Sequence, residues 1–296
     1  MTTAAQKHAQ RNRGTIVVEE GEVIGHEIHP GEQYIMRIRA PKCARAARPG
    51  TFIHITCDEE LPMRRPLSIM RAGDGWIEVL YKIVGEGLHL LARKQPGDAV
   101  SLLGPIGQPF RLEDDRPNVI LIGGGVGIPP MVFLADAIRR DRERWSPLAI
   151  LGSEIPFPFD VQESAFDVAG VDSSVRGTMP LLEEWGIPAR LTSLQGYANA
   201  HNGYVTDLAD QHLQALDDEA LSKTAIFTCG PTPMLRAVAD LAARYNLPCQ
   251  VSLEEFMACA VGGCAGCVVR IETPDGPAMK RVCVDGPVFE ASTVAW

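Results

Sequence analysis

From Thr15 to Leu112 apolar and polar residues alternate in short runs. Examples are Tyr34-Ile35-Met36-Arg37-Ile38, Phe52-Ile53-His54-Ile55, Trp76-Ile77-Glu78-Val79-Leu80-Tyr81 and Ala99-Val100-Ser101-Leu102-Leu103. Pro49-Gly50, Gly73-Asp74-Gly75 and Pro96-Gly97-Asp98 punctuate them. Short strands at even spacing predict an antiparallel β-barrel, with one short helix over Gly87 to Lys94. The pattern changes near Pro117. Asn118-Val119-Ile120-Leu121-Ile122 is short and almost wholly apolar, as a strand buried on both faces requires. Leu148 to Leu151 and Ala225 to Thr228 repeat it, while Met131 to Arg144 and Pro233 to Tyr245 read as helices. Strands alternating with helices predict a parallel α/β sheet. Glu154 to Val205 gives no assignable pattern. After Pro248 the chain becomes rich in Cys and Gly and loses helical periodicity. The expected organisation is multidomain: a tail over 1–14, a barrel over 15–115, an α/β domain over 116–248 and a small segment over 249–296.

Composition changes this picture little. The chain has 296 residues, 46% hydrophobic and 22% charged, enough for two cores and an appendage. A formal net charge of −9 argues against a nucleic-acid partner, since phosphate binding needs Lys and Arg. No run of about 18 apolar residues occurs, so no transmembrane helix is expected. Met1 to Gly14 carries Lys7, Arg11 and Arg13 with no apolar run behind them, and reads as a frayed tail rather than a secretory signal.

Cysteine placement changes it more. Of eight cysteines, Cys259, Cys264, Cys267 and Cys283 cluster as C-x4-C-x2-C-x15-C. In a long chain without a secretory signal such a cluster points to metal rather than disulfides, and the cytoplasm is the expected compartment. The spacing fits the plant-type [2Fe–2S] pattern. Structural zinc is the alternative, although zinc ribbons pair two tight knuckles and only one is present. Cys43, Cys57, Cys229 and Cys249 read as small hydrophobes.

Two loops and a turn suggest nucleotide chemistry. Gly123, Gly124, Gly125 and Gly127 sit between a buried strand and a helix, where backbone amides can approach a pyrophosphate. The match to G-x-G-x-x-G is broken by Pro129-Pro130, which a first helical turn tolerates. Cys229-Gly230-Pro231 follows another buried strand at its carboxyl end, where open α/β sheets bind ligands. Met63-Arg64-Arg65-Pro66-Leu67-Ser68 offers an arginine fork for phosphate and a hydroxyl for a ring edge. Each has a plainer reading, as a tight turn or a solvated arginine pair.

Taken in order, these segments resemble the ferredoxin–NADP reductase superfamily, and within it the electron-transfer subunits of class 1B dihydroorotate dehydrogenase. The resemblance rests on Arg65-Pro66-Leu67-Ser68, Leu80-Tyr81-Lys82, Gly87-Leu88, Leu103-Gly104-Pro105-Ile106-Gly107, the glycine loop, Cys229-Gly230-Pro231 and Cys283 to Phe289. It implies FAD at Arg65, Pro66, Leu67, Ser68, Leu80, Tyr81, Lys82, Gly87 and Leu88. It further implies a dinucleotide at the glycine loop and at Cys229 to Pro231. A [2Fe–2S] cluster on the four clustered cysteines would relay electrons to an FMN-containing catalytic subunit, in a heterotetramer of two and two. Leu67 stands where plant-type reductases carry a flavin-stacking tyrosine, and Leu88 where Thr or Ser is usual. Ser153 to Ser164 holds no Arg or Lys for a 2′-phosphate, so NAD is expected over NADP.

With the chemistry on the cofactors, no side-chain acid, base or nucleophile is expected to be catalytic. Glu254, Glu255 and the histidines read as structural or solvated. The competing readings are a sulfide dehydrogenase or NADH-dependent ferredoxin:NADP oxidoreductase subunit, a zinc-stabilised binding module without flavin, and a reductase that needs no partner.

Overall fold

A computed structural model describes residues 16–296, so the tail expected over 1–14 lies outside the described residues. The alternating runs form strands β1 (Val17–His29), β2 (Gln33–Arg39), β3 (Phe52–Ile55), β4 (Arg65–Gly73), β5 (Trp76–Lys82) and β6 (Ala99–Ile106). All pair antiparallel and close into a barrel in the order β1-β2-β5-β4-β3-β6. Ile38, Ile53, Ile55, Ile69, Ile77 and Leu102 fill its interior. Helix α1 (Pro41–Ala46), which was not expected, lies beside the barrel, and α2 (Gly85–Leu91) starts two residues before the predicted helix.

The second sheet has the order β11-β8-β7-β12-β13-β16. Its strands are β7 (Asn118–Gly124), β8 (Ser146–Gly152), β11 (Ala189–Thr192), β12 (Thr224–Cys229), β13 (Cys249–Ser252) and β16 (Val288–Glu290). The first five run parallel, while β16 joins the edge antiparallel, with Gln250 opposite Glu290. Helix α3 (Ile128–Ile138) follows β7 directly, with Pro129-Pro130 inside its first turn. It ends at Ile138, short of the predicted Arg144, where Arg139 and Arg140 turn back onto Asp136. In the region without a sequence pattern stand β9 (Gln162–Glu163), β10 (Gly177–Thr178), α4 (Pro180–Glu184) and β11. Helix α5 (Val205–Gln214) and the short α6 (Asp218–Ser222) lead on to β12. Helix α7 (Thr232–Arg244) buries Leu235, Val238, Leu241 and Ala242 at helical spacing, one face against the sheet.

The barrel and the sheet share a packed boundary. Every residue of α3 except Asp136 and Ala137 is a buried apolar one; Phe133 enters the barrel core, while Met131 and Leu134 enter the sheet core. At roughly 1.5–3 kcal/mol per fully buried side chain of this size, these three oppose rotation of one unit against the other. The cleft between them therefore has fixed walls. The C-terminal segment is a hairpin of β14 (Val268–Thr273) and β15 (Gly276–Arg281), tied back through β16 and through Leu253 N–H donating to the Pro287 carbonyl at 2.9 Å. Among the described residues no helix is long and apolar enough to cross a membrane.

Candidate functional site

Seven of the nine residues expected at FAD line one cleft: Pro66, Leu67, Ser68, Leu80, Tyr81, Lys82 and Leu88. It holds about 780 Å³ of non-protein space and opens to solvent. The strand ladder brings the two motifs together, because β4 and β5 are neighbours in the barrel. The other two residues stand beside each other. The Arg65 guanidinium lies 3.1 Å from where a β-carbon on Gly87 would stand, so a larger residue there would push it away. Arg65 also donates to the Met63 carbonyl at 2.7 Å, which holds the fork at the turn. Arg64 is occupied differently, donating to Ser101 O at 2.7 Å and Ser101 Oγ at 3.0 Å inside the barrel wall.

Tyr81 is 1% exposed and braced from behind. It stacks on Tyr34 with ring centres 5.4 Å apart. The Lys94 carbonyl accepts from His26 Nδ1 at 2.7 Å, which leaves Nε2 to accept from the Tyr81 hydroxyl at 2.8 Å. Burial raises the Tyr81 pKa, so the phenol stays neutral.

The glycine loop reaches the same cleft through Val126. A β-carbon on Gly127 would collide with the Cys229 carbonyl, so this glycine lets the β7–α3 loop press against Cys229-Gly230-Pro231. The two predicted nucleotide loops are thereby brought into contact at the carboxyl ends of neighbouring strands. Gly125 differs: its φ is +54° and nothing lies within 4 Å of its β-position, so its backbone faces open space.

The cleft's third wall was missed from sequence. Ser252, Leu253, Glu254, Glu255 and Met257 line it, all from the segment that leads into Cys259. Glu254 and Glu255, expected to be structural or solvated, thus stand on the cleft wall. Glu254 Oε1 lies 3.9 Å from Cys229 Sγ, and burial raises the pKa of both the carboxyl and the thiol. No periodicity marks this segment; its place follows from the Leu253 bond to Pro287 and from β13 beside it.

The four clustered thiols lie as two pairs. Cys267 Sγ and Cys283 Sγ are 3.3 Å apart and buried. On the other side the Cys264 amide donates to Cys259 Sγ at 3.4 Å, and the Gly266 amide to Cys264 Sγ at 3.4 Å. Ala260, Gly262 and Ala265 take left-handed φ of 55°, 79° and 53°, which curls the chain around the sulfurs. Arg281 pins the loop by donating to Gly262 O at 3.0 Å and to Asp285 at 3.0 Å. Burial alone would raise the Cys259 pKa, but the amides of Cys264, Val261 and Gly263 and the Cys264 thiol bring it down to about 7. Burial and the Cys267 thiol push Cys283 up to about 12. Among the described residues no three His, Cys, Asp or Glu side chains close on one point as ligands of a single ion would. Two thiols on each side suit a two-iron cluster better than one tetrahedral zinc. Cys43, Cys57 and Cys249 are buried and unbonded, with burial raising each thiol.

Known proteins resemble this chain over most of its length. A sequence profile for the iron–sulfur cluster binding domain of dihydroorotate dehydrogenase B matches residues 254–295. The dihydroorotate dehydrogenase B (NAD(+)) electron transfer subunit of Desulforamulus reducens is 31% identical over 268 residues, covering 89% of this chain and 92% of that protein. Its counterpart from Geobacillus thermodenitrificans is 32% identical, covering 93% and 98%. Among solved structures, that of the NADH-dependent reduced ferredoxin–NADP oxidoreductase superposes with a TM-score of 0.75 at 26% identity, covering 94% of this chain and 90% of that one. The ferredoxin reductase of carbazole 1,9a-dioxygenase shares the fold, with a TM-score of 0.58 at 22% identity over 79% and 67%.

Proposed function

The chain belongs to the family of dihydroorotate dehydrogenase B electron-transfer subunits, and on that premise we propose that it carries electrons between NAD and a dihydroorotate-oxidising catalytic partner in pyrimidine synthesis, using FAD and a [2Fe–2S] cluster. The observation that carries this reading is the composition of the cleft. Its walls come from the barrel, from the glycine loop and from the segment leading into Cys259, so sites for all three electron carriers border one space.

A flavin there would supply the conversion between a two-electron hydride and the single electrons an iron–sulfur cluster accepts. The chain's own residues do the placing. Pro66, Leu67, Ser68, Leu80, Tyr81 and Lys82 form a wall for a flat ring system, Leu88 adds apolar surface, and Arg65 beside Gly87 offers a fork to a diphosphate. Gly123, Gly124, Gly125 and Gly127 would receive the pyrophosphate of NAD, with Cys229, Gly230 and Pro231 toward its nicotinamide. Burial raises the pKa of both Glu254 and Cys229, which favours their uncharged forms beside the nucleotide loop. Cys259 with Cys264, and Cys267 with Cys283, would each hold one iron.

Cys264 is exposed, and beside the ligand loop Phe256 is 95% and Val261 50% exposed. Bare aromatic surface next to an electron exit is suited to a protein partner, and an FMN-containing catalytic subunit in a two-and-two heterotetramer fits it. The absence of Arg and Lys from Ser153 to Ser164 supports NAD over NADP, and a cysteine cluster of metal-binding spacing suits a cytoplasmic setting. The family assignment disfavours the sulfide dehydrogenase and ferredoxin-linked alternatives, and the paired thiols disfavour zinc. The test is reconstitution. NAD⁺ reduction driven by dihydroorotate should require both this chain and the catalytic subunit. Dihydroorotate turnover by this chain alone, or none by the pair, would overturn the reading.

A further inference from the structure

His54 is a buried imidazole whose partners are not closed. It lies in β3, is 1% exposed, and among the described residues neither ring nitrogen has a hydrogen-bond partner. Nearly all buried polar groups in folded proteins are satisfied, so this one needs a reason. Its place in the fold supplies one. Ile53 and Ile55 point into the barrel core, so Phe52 and His54 share the opposite face of the strand. Phe52 lines the cleft. Two main-chain carbonyls, that of Arg64 in the turn before Arg65 and that of Met257, lie near enough to act on the imidazole without completing a hydrogen bond to either nitrogen. Met257 also lines the cleft and stands two residues before Cys259. The ring therefore lies beneath the stretch that joins the flavin wall to the first thiol.

The two carbonyls are not equivalent. The Arg64 turn is already fixed, its guanidinium donating to His54 O and Ser101 O and its successor Arg65 opening β4. Residues 253–257 have no regular secondary structure to hold them. Burial, then the charges of Arg64 and Arg65, keep the imidazole neutral, with one N–H to give.

We propose that His54 is the positioning residue for electron passage between the two cofactor sites: its single N–H donates to the Met257 carbonyl in the loaded protein and fixes the stretch from Glu254 to Cys259 against the cleft. This rests on the reading above, that the cleft takes a flavin and the thiols a cluster. It gives His54 a role that neither the barrel core nor the cofactor motifs require.

The test compares His54→Leu and His54→Gln in the full chain, loaded anaerobically with FAD, iron and sulfide. Cofactor content is counted first, and a wild-type chain lacking flavin or iron overturns the functional reading and this proposal together. With wild type loaded, the Leu chain should keep both cofactors. Electrons supplied as NADH should then bleach its cluster at least about tenfold more slowly, as a small misplacement implies, whereas the Gln chain should stay within about twofold. The EPR spectrum of the reduced cluster should shift in the Leu chain only. A Leu chain matching wild type in rate and spectrum overturns the proposal, as does a Gln chain as slow as Leu. If the Leu chain does not fold, His54→Asn takes its place under the same criteria, because its shorter amide falls short of Met257.

Discussion

At the level of single residues, the thiols divide the labour visibly. Cys267 and Cys283 are buried and add to the core, whereas Cys264 is exposed and bears little weight in the fold. Replacing Cys264 by serine should therefore abolish iron binding while leaving FAD content and the thermal midpoint nearly unchanged, as iron assay, flavin release and calorimetry would show. Loss of the flavin along with the iron would contradict the independence of the two sites. His54 gives a second expectation. Burial and the neighbouring arginines push its pKa from 6.5 down to about 4, so between those values the unfolded chain binds a proton that the folded chain refuses. Stability should be whole above pH 6.5 and fall as the pH drops toward 4, with His212, also lowered by burial, acting in the same direction. Denaturant midpoints across that window should fall less for His54→Gln than for wild type. An equal fall in both would contradict this assignment.

At the level of elements, the glycine loop offers a contrast between packing and access. A β-carbon on Gly127 meets the Cys229 carbonyl, so Gly127→Ala should force the two nucleotide loops apart and cost about 1–3 kcal/mol by overpacking. Gly125→Ala meets no neighbour and bears only the strain of its positive φ, about 1–2 kcal/mol. Both should weaken NAD binding in titration calorimetry; only the first should broaden the unfolding transition and loosen the α3 packing. Similar behaviour of the two variants would refute the contact. The same elements show what the sequence made legible. The strands β2, β3, β5 and β7 announced themselves through alternation or unbroken apolarity, and the short loops through Gly and Pro. Residues 154–205 did not, for physical reasons. Strands β9 and β10 have two residues each and α4 five, too few to display a period. Strand β11 is buried throughout yet carries Arg190, whose guanidinium is held by the carbonyls of Ala189 and Phe166. Phe157 packs on Phe159 and, across a long gap in sequence, on Tyr197. In the site, the motif residues of the barrel could be read directly. Glu254 and Met257 could not, because tertiary contacts place their irregular segment on the cleft.

At the level of the whole molecule, three textures of sequence become one object because α3 locks barrel to sheet and β16 returns the C-terminal segment to the sheet edge. The cleft at their junction accounts for a subunit that places cofactors and contributes little chemistry of its own. Its outer surface should serve the partner. Phe256→Ala should leave FAD and iron content unchanged and lower the affinity for the catalytic subunit by at least about tenfold, in the range of a buried aromatic anchor. Unchanged affinity by ultracentrifugation would place the interface elsewhere. Whether one chain holds both a flavin and a two-iron cluster is decided by purifying it without oxygen, recording its visible spectrum, and assaying flavin, iron and sulfide. The expected result is one FAD with two irons and two sulfides per chain, the stoichiometry of a [2Fe–2S] flavoprotein. A colourless protein carrying zinc and no flavin would contradict it.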